Sequence, residues 1–297
     1  MNNTMSSTLL LQLSDTHIRE PGRLAYGRID TAPYLRQAVE AIKRLPQRPD
    51  AVVITGDLTD FGRASEYEHL RELLEPLTMP IYLLPGNHDD REQMRASFPD
   101  YGYLGTNGFI QYSVPIGRLQ LIALDTVVPQ ASSGMLCSER LEWLSCELER
   151  HSDKPVVVAM HHPPFSTLIG HMDDIGLRTG ASELEALLSK HQNVERVICG
   201  YLHRPIQVRF GATMAVTVPS PAHQVCLDLS PQAASAWMFE PPGFGIHALP
   251  PQGRMVSHTA YSASFEGPYP FHEANVTFHH IESNPVSAFR SHPVFGI

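Results

Sequence analysis

The chain has 297 residues, 42% hydrophobic and 18% charged, with a net charge of -9 and sixteen histidines against 22 lysines and arginines. This suits one large domain, or one domain with an appendage, around a sizeable core. The acidic balance excludes a general nucleic-acid footprint, so a phosphate-bearing substrate would need local positive charge from metals or arginines.

Residues 9–14 form a predicted buried strand that ends at Asp15-Thr16-His17. The apolar run at 9–13 is broken by Gln12 and lacks a basic lead, so it is not a signal peptide core. Residues 1–7 are expected to be a disordered lead-in. A loop with Pro21, Gly22 and Gly27 follows over 19–28. Leu35, Ala38, Val39 and Ile42 predict a helix over 31–45, which Pro46 and Pro49 close. The β-branched run 51–55 predicts a second strand, followed by Gly56-Asp57-Leu58-Thr59-Asp60. A helix over 65–74 leads to a third strand, 81–85, and then to Gly86-Asn87-His88-Asp89.

Further on, 90–98 reads as a helix, and 109–114 with 119–124 as a hairpin about Gly117. A helix over 138–150 precedes the apolar strand 156–160, which ends at His161-His162-Pro163-Pro164. A helix over 181–190 and a strand over 194–199 lead to Gly200-Tyr201-Leu202-His203. Residues 206–210 and 214–218 form a hairpin about Gly211-Ala212. From Ala222 the texture changes to prolines and scattered aromatics, with strands expected over 245–249 and 255–261. The expected division is a catalytic domain over 8–230 and a C-terminal segment, 231–297, that packs on the core as a cap and mediates homo-oligomerisation. Cys137, Cys146, Cys199 and Cys226 form no CxxC pair and read as reduced thiols of a cytoplasmic protein. No run approaches the ~20 apolar residues that a membrane span needs.

Five strand ends thus carry candidate ligands: Asp15 and His17, Asp57, Asn87 and His88, His161 and His162, and His203. Singly, each is an ordinary turn or capping residue. Together they converge, because strand carboxyl ends line one edge of an α/β sheet, where ligands bind. Carboxylates, a carboxamide oxygen and imidazoles suit Mn, Fe or Zn, and the lack of thiolates argues against a closed structural zinc site. One carboxylate can bridge two ions, and two ions ~3.5–4 Å apart polarise a phosphoryl oxygen and acidify a bound water.

In this order, Asp15-x-His17, Gly56-Asp57-x-x-Asp60, Gly86-Asn87-His88-Asp89, His161 before His162-Pro163-Pro164, and Gly200-x-x-His203 resemble the calcineurin-like metallophosphoesterase signature. Leu24-Ala25-Tyr26-Gly27 and His223-Gln224-Val225 are similar to its bacterial branch of glycerophosphodiesterases and class III cyclic-nucleotide phosphodiesterases. The resemblance covers about residues 9–228. It implies an α/β fold, a four-layer α/β/β/α sandwich with a small C-terminal cap, and a binuclear metal centre.

By that resemblance Asp15, His17, Asp57 and His203 would hold the first ion. Asn87 and His161 would hold the second, with Asp57 bridging. A metal-bound hydroxide would attack the phosphodiester. His88 would not be a ligand but would sit over the substrate, steadying phosphoryl oxygens or protonating the leaving alkoxide. Asp60 and Asp89 would orient metal-bound imidazoles, and Tyr26, His223 and Gln224 would face the substrate.

One position departs from the family pattern, Gly-His-x-His, whose first histidine is a ligand of the second metal. Here that position is Tyr201, a poor ligand until it loses a proton of pKa ~10. Three readings stay open: a second metal recruited weakly by substrate, coordination by Tyr201, or a disabling substitution. The expected activity is a metal-dependent phosphodiesterase for small glycerophosphodiester-like or alkyl and aryl diesters. The alternatives are a 3',5'-cyclic nucleotide phosphodiesterase and, from another class, a metal-binding protein of little activity with a compromised second site.

Overall fold

The structure is a computed structural model and describes residues 6–271. Most of the lead-in expected at 1–7 and the tail beyond residue 271 lie outside the described residues. In chain order the elements are β1 (Thr8–Leu13), α1 (Ala32–Lys43), β2 (Ala51–Thr55), α2 (Ala64–Leu74), β3 (Ile81–Leu84) and α3 (Arg91–Ser97). Then come β4 (Tyr112–Ile116), β5 (Leu119–Leu124), β6 (Gly134–Met135), α4 (Ser138–Arg150), β7 (Val156–Met160), α5 (Gly170–Asp173), β8 (Leu177–Thr179) and α6 (Ala181–Leu188). The remainder are β9 (Val194–Cys199), β10 (Gln207–Phe210), β11 (Thr213–Thr217), β12 (Gln224–Val225), β13 (Trp237–Met238), β14 (Gly243–Leu249) and β15 (Val256–Tyr261).

The fold is α/β, with two main sheets. One has the order β15-β14-β1-β2-β3, in which β1, β2 and β3 run parallel and β14 and β15 pair antiparallel. The other has the order β10-β11-β9-β7-β5-β4, parallel through its middle and antiparallel at both edges. Its central strand β7 is continuously apolar because both faces are covered. Successive side chains point to opposite faces, and they divide accordingly. Leu121, Ala123, Val157 and Ala159 join the core that holds α1, α2 and the first sheet. Ile122, Leu124, Val156, Val158 and Met160 join a second core with Leu144 and Leu148 of α4 and Leu184 and Leu188 of α6.

A polar seam crosses this packing. Gln12, wholly buried on β1, donates to Thr55 Oγ1 at 2.9 Å and to the Cys199 carbonyl at 2.8 Å, tying the two sheets together. His247 Nε2 donates to Gln12 Oε1 at 3.0 Å, and Ser257 Oγ meets His247 Nδ1 at 2.8 Å.

Several boundaries differ from expectation. Helix α1 begins at Ala32 with Pro33 in its first turn, where no N–H is needed. Strand β4 starts at Tyr112 and keeps Pro115, which an edge strand tolerates. Strand β14 starts two residues before its expected position, at Gly243, and joins the first sheet beside β1. The short ribbons β6–β8 and β12–β13, and the one-turn α5, carry too little periodicity to be read from sequence. Compact units run over Met1–Ala263 and Ser264–Ile297. Described residues 264–271 of the second hold no helix or strand. Among the described residues no helix is long and apolar enough to cross a membrane.

Candidate metal centre

The loops after β1, β2, β3, β7 and β9 turn within a few residues of the strand ends. Asp15, His17, Asp57, Tyr201 and His203 have φ of 55°, 42°, 48°, 74° and 52°, a region that residues with a Cβ seldom occupy. Such backbone persists only where its surroundings over-determine it. Here the loops hold one another: Asp15 N donates to Gly56 O, His17 N to Asp57 O and Gly200 N to His161 O, each at 3.0 Å. The packing leaves no room at two glycines. A Cβ on Gly86 would lie 2.2 Å from Asp57 Oδ1, and one on Gly56 2.5 Å from His161 Nδ1.

Polar atoms converge at the centre of these loops. His203 Nδ1 donates to the His223 carbonyl at 3.0 Å, so its Nε2 carries the lone pair. That Nε2 lies 3.3 Å from His17 Nε2 and 3.7 Å from Asp15 Oδ1. His17 Nε2 is also 3.5 Å from Asp57 Oδ2, while its Nδ1 is 3.5 Å from Asp60 Oδ1. Asp15 is itself fixed by the Tyr201 N–H, at 2.9 and 3.1 Å from its two oxygens, and its carbonyl accepts from Ser220 Oγ at 2.9 Å.

On the other side, His161 Nδ1 donates to the Thr55 carbonyl at 2.8 Å. Its Nε2 then faces two oxygens, Asn87 Oδ1 at 3.1 Å and Asp57 Oδ1 at 3.3 Å. Burial opposes charge on His161, yet the Asp57 charge outweighs it and raises the ring to about 9. His17 is likewise raised: burial opposes it, but Asp60, Asp57 and Asp15 prevail. Burial and the neighbouring His17 hold His203 low, at about 4. Three imidazoles, of His17, His161 and His203, two carboxylates, of Asp15 and Asp57, and the Asn87 amide oxygen converge into a donor set that fits metal cations. Among the described residues, Asp15, His17 and Asp57 have ligand atoms within 4.8 Å of one another, as do His17, His203 and His223.

Tyr201 is oriented differently. Its hydroxyl donates to the Ile175 carbonyl at 2.8 Å and lies 3.4 Å from the Ser132 carbonyl. Burial and the charges of Asp57 and Asp15 raise the phenol above its ordinary value, which keeps the proton on it. Its ring packs beside those of His161 and His162, at 5.4 and 4.8 Å.

His88 is half-buried. Its N–H donates to Asp57 Oδ1 at 2.9 Å and its Nδ1 to the Asp60 carbonyl at 2.8 Å. Asp60 also pairs with Arg19 at 3.2 Å, and Arg19 reaches Glu66 at 2.8 Å, so this arginine is engaged by carboxylates. Asp89, expected to orient an imidazole, instead accepts from Gly86 N, Leu58 N, Thr59 N and the Tyr67 hydroxyl. It buckles the Asp57 loop to the Asn87 loop, and burial together with Asp57 raises it to about 6. His162 turns away from the centre, towards Thr126 Oγ1 at 2.8 Å and the Ser132 carbonyl at 3.1 Å. Burial and His161 lower it to about 3.

A cavity of about 310 Å3 opens over the cluster, with His17, Asp57, Asn87, His88 and His203 in its wall. Tyr26 and His223 line it too, with ring centroids 5.2 Å apart. His223 is buried, has no hydrogen-bond partner on Nδ1 among the described residues, and is pushed well below its ordinary value by burial and by the neighbouring histidines. Gln224 does not line the cavity. Its amide donates to Ser220 O and accepts from Glu240 N, both at 2.9 Å.

A family model for calcineurin-like phosphoesterases matches residues 8–205. The chain belongs to that family. It is 36% identical over 264 residues to a probable glycerophosphodiester phosphodiesterase of Arcobacter nitrofigilis, an alignment covering 89% of this chain and 97% of that one. It is 34% identical over 261 residues to a probable cyclic nucleotide phosphodiesterase of Rhodopseudomonas palustris, covering 86% and 93%. Among solved structures, a dimetal phosphatase from Danio rerio aligns with a TM-score of 0.65 and 17% identity, over 87% of this chain and 97% of that chain. That likeness supports the fold.

Three contributors to this calcineurin-like site have no signal in the sequence motifs. Ser220 holds the Asp15 backbone, Thr55 fixes the tautomer of His161, and Trp237 lines the cavity from a segment more than 30 residues beyond the last ligand. The first two act through single hydrogen bonds between distant strand ends, and no periodicity or spacing encodes such a contact.

Proposed function

We propose that this chain is a metal-dependent phosphoric diester hydrolase acting on small phosphodiesters. The observation that carries the reading is the convergence of His17, His161 and His203 on the oxygens of Asp15, Asp57 and Asn87. Two bound divalent ions would polarise the phosphoryl group and acidify a water molecule. Asp15, His17, Asp57 and His203 would hold the first ion. Asp57, Asn87 and His161 would hold the second, since the two Asp57 oxygens lie towards His17 and His161 respectively. Asp60 steadies His17 from behind. His88, with Nδ1 donating to a carbonyl, has Nε2 left to carry the proton that the leaving alkoxide takes. Tyr201 donates its proton to Ile175, so we assign it no ligand role, and the second ion has three protein donors against four for the first.

The test is to load the protein with Mn, Fe or Zn, count ions per chain by mass spectrometry of the metals, and assay a panel of diesters. Glycerophosphoethanolamine, bis(4-nitrophenyl) phosphate and cyclic AMP separate the main reading from the cyclic-nucleotide alternative, which predicts turnover of cyclic AMP alone. One ion per chain with no turnover of any diester at saturating metal would sink the enzyme reading in favour of a metal-binding protein.

The division of core burial supports an α/β/β/α layering of the catalytic domain over 8–230. Within the segment 231–297, β14 and β15 complete the first sheet beside β1 instead of capping it; the segment stays our candidate for an oligomer contact, and a monomeric mass in solution would count against it. A cytoplasmic site of action, without a membrane or a nucleic-acid polymer as partner, fits the free cysteines.

A further inference from the structure

The cavity over the centre has a second part that no ligand or acid–base role uses. Met172 and Ile175 from the α5 loop and Val225, Ala236 and Trp237 from the β12–β13 ribbon line it, with His171 and two serines. Among the described residues no lysine, arginine or glutamate lines the cavity, and its single aspartate is Asp57. A phosphodiester carries two ester arms, so a diester bound at the centre places at least one arm against this wall.

Trp237 is held before any substrate arrives. It pairs with Val225 in the ribbon, which the Cys226 N–H closes on the Ala236 carbonyl at 2.9 Å. Arg204 braces the ribbon by donating to the Val225 carbonyl at 2.8 Å. The indole stands edge-on to Phe239, at 5.4 Å and 89°, and lies 5.3 Å from His223. Tyr26 and Trp237 are 6.0 Å apart, in contact with each other. At 6.0 Å and 35° the two rings are too close to sandwich a cation between their faces and too nearly parallel to form two adjoining walls of an aromatic cage. They can offer a flat face to an uncharged group. An ammonium arm would enter this wall without a carboxylate other than a candidate metal ligand to pair with, which is costly for a desolvated charge.

We propose that Trp237 is a specificity-determining residue of this site, presenting an aromatic face to one ester arm and selecting diesters with an uncharged, flat or apolar arm over those with an ammonium arm. The inference rests on the phosphodiesterase reading and narrows its substrate class. A simple aryl ester and a nucleoside ester share this arm chemistry.

The experiment compares wild type, Trp237→Ala, Trp237→Phe and Ala236→Glu, each with its metal content measured, on bis(4-nitrophenyl) phosphate, cyclic AMP and glycerophosphocholine. Dividing variant by wild type for each substrate cancels the unequal reactivity of the leaving groups. Loss of one stacking contact by Trp237→Ala should raise KM about tenfold for whichever aromatic diester is turned over, while kcat stays within about threefold. The ratio for glycerophosphocholine should stay near one, and Trp237→Phe should recover most of the loss. Ala236→Glu, which adds a carboxylate to the wall, should raise kcat/KM for glycerophosphocholine relative to the aromatic diesters. Equal losses on all three substrates, or a larger loss for the choline ester, would overturn the proposal. No turnover of any diester by metal-loaded wild type would remove the functional reading and this inference with it, whereas turnover that ignores Trp237 removes the inference alone.

Discussion

His161 and His247 are both buried, and both sit where the two sheets meet, yet their surroundings are chemically opposite. In the polar seam, His247 has a complementary partner on each nitrogen, Gln12 Oε1 on one and Ser257 Oγ on the other. Burial lowers it to about 3, so the ring is neutral and its network complete. His162 is satisfied in the same way by Thr126 and the Ser132 carbonyl. At the strand ends, His161 and His203 each use Nδ1 on a carbonyl that can only accept, and each turns Nε2 towards carboxylate or amide oxygens, which can also only accept. Burial of a histidine therefore says little about its role. What separates a core histidine from a candidate ligand is whether both of its nitrogens face acceptors, an arrangement that a neutral ring cannot satisfy without a cation.

Breaking the strand-end side should have the largest effect. Among the described residues, Asp57 is the one carboxylate that pairs with both His17 and His161. Asp57→Asn should reduce metal content at both positions and lower kcat/KM by more than the ~10–100-fold typical of residues that only support a ligand. Retention of two ions per chain by this variant would show that Asp57 does not bridge. Asp60→Asn acts one bond further out, through His17 and its 3.5 Å contact. It should weaken metal affinity by ~10–100-fold, read by titration of the metal-free protein, and because Asp60 also pairs with Arg19 it should lower the unfolding stability of that protein too.

The seam should respond in stability instead. His247→Leu leaves Gln12 Oε1 without its donor, at a cost of about 1–3 kcal/mol in denaturant unfolding at pH 7, with metal content unchanged. The pH dependence has a definite sign. His247 has a lowered pKa in the folded protein, about 3, against an ordinary value of 6.5. Between those values the unfolded chain binds a proton that the native chain refuses, so this group makes wild-type stability fall as pH falls below 6.5, by about 1.4 kcal/mol per unit. His247→Leu removes that contribution, and the gap between variant and wild type, measured on metal-free protein, should narrow from pH 7 to pH 4. A gap that widens on acidification would mean that His247 is charged in the fold.

The two regions were unequally legible from sequence. Every donor of the candidate centre lies one to four residues past the end of a short apolar strand, and that local juxtaposition is written in the chain as Asp15, His17, Asp57, Asn87, His161 and His203. The seam is not. Gln12 reads only as a polar interruption of a strand, because its partners are Thr55, Cys199 and His247, brought to it by strand pairing over separations of 43 to 235 residues. Asp89 shows the same limit within a motif: its position beside His88 suggests an imidazole partner, yet the turn aims it at three backbone N–H groups. Sequence pattern conveys which residues reach the strand ends, while hydrogen-bond direction depends on loops far apart in the chain.

Tyr201 lies at the border between the two kinds of surroundings, and the smallest expected effect decides its side. It follows a strand end as the ligands do, but its donor is engaged on a carbonyl as in the seam. Tyr201→Phe keeps the ring against His161 and His162 and removes the hydrogen bond to Ile175 with the longer contact to Ser132, a net loss of about 1 kcal/mol. Ile175 lines the substrate cavity, so the change should raise KM a few-fold and leave both kcat and ions per chain near wild type. If the phenol were a ligand, the same variant would lose the second ion and kcat together. Tyr201→His, which returns to the Gly-His-x-His pattern, should move the other way. It supplies a fourth donor beside Asp57, Asn87 and His161, tightening the second ion while losing the contact that holds the Ile175 wall, so metal affinity and KM should rise in the same protein.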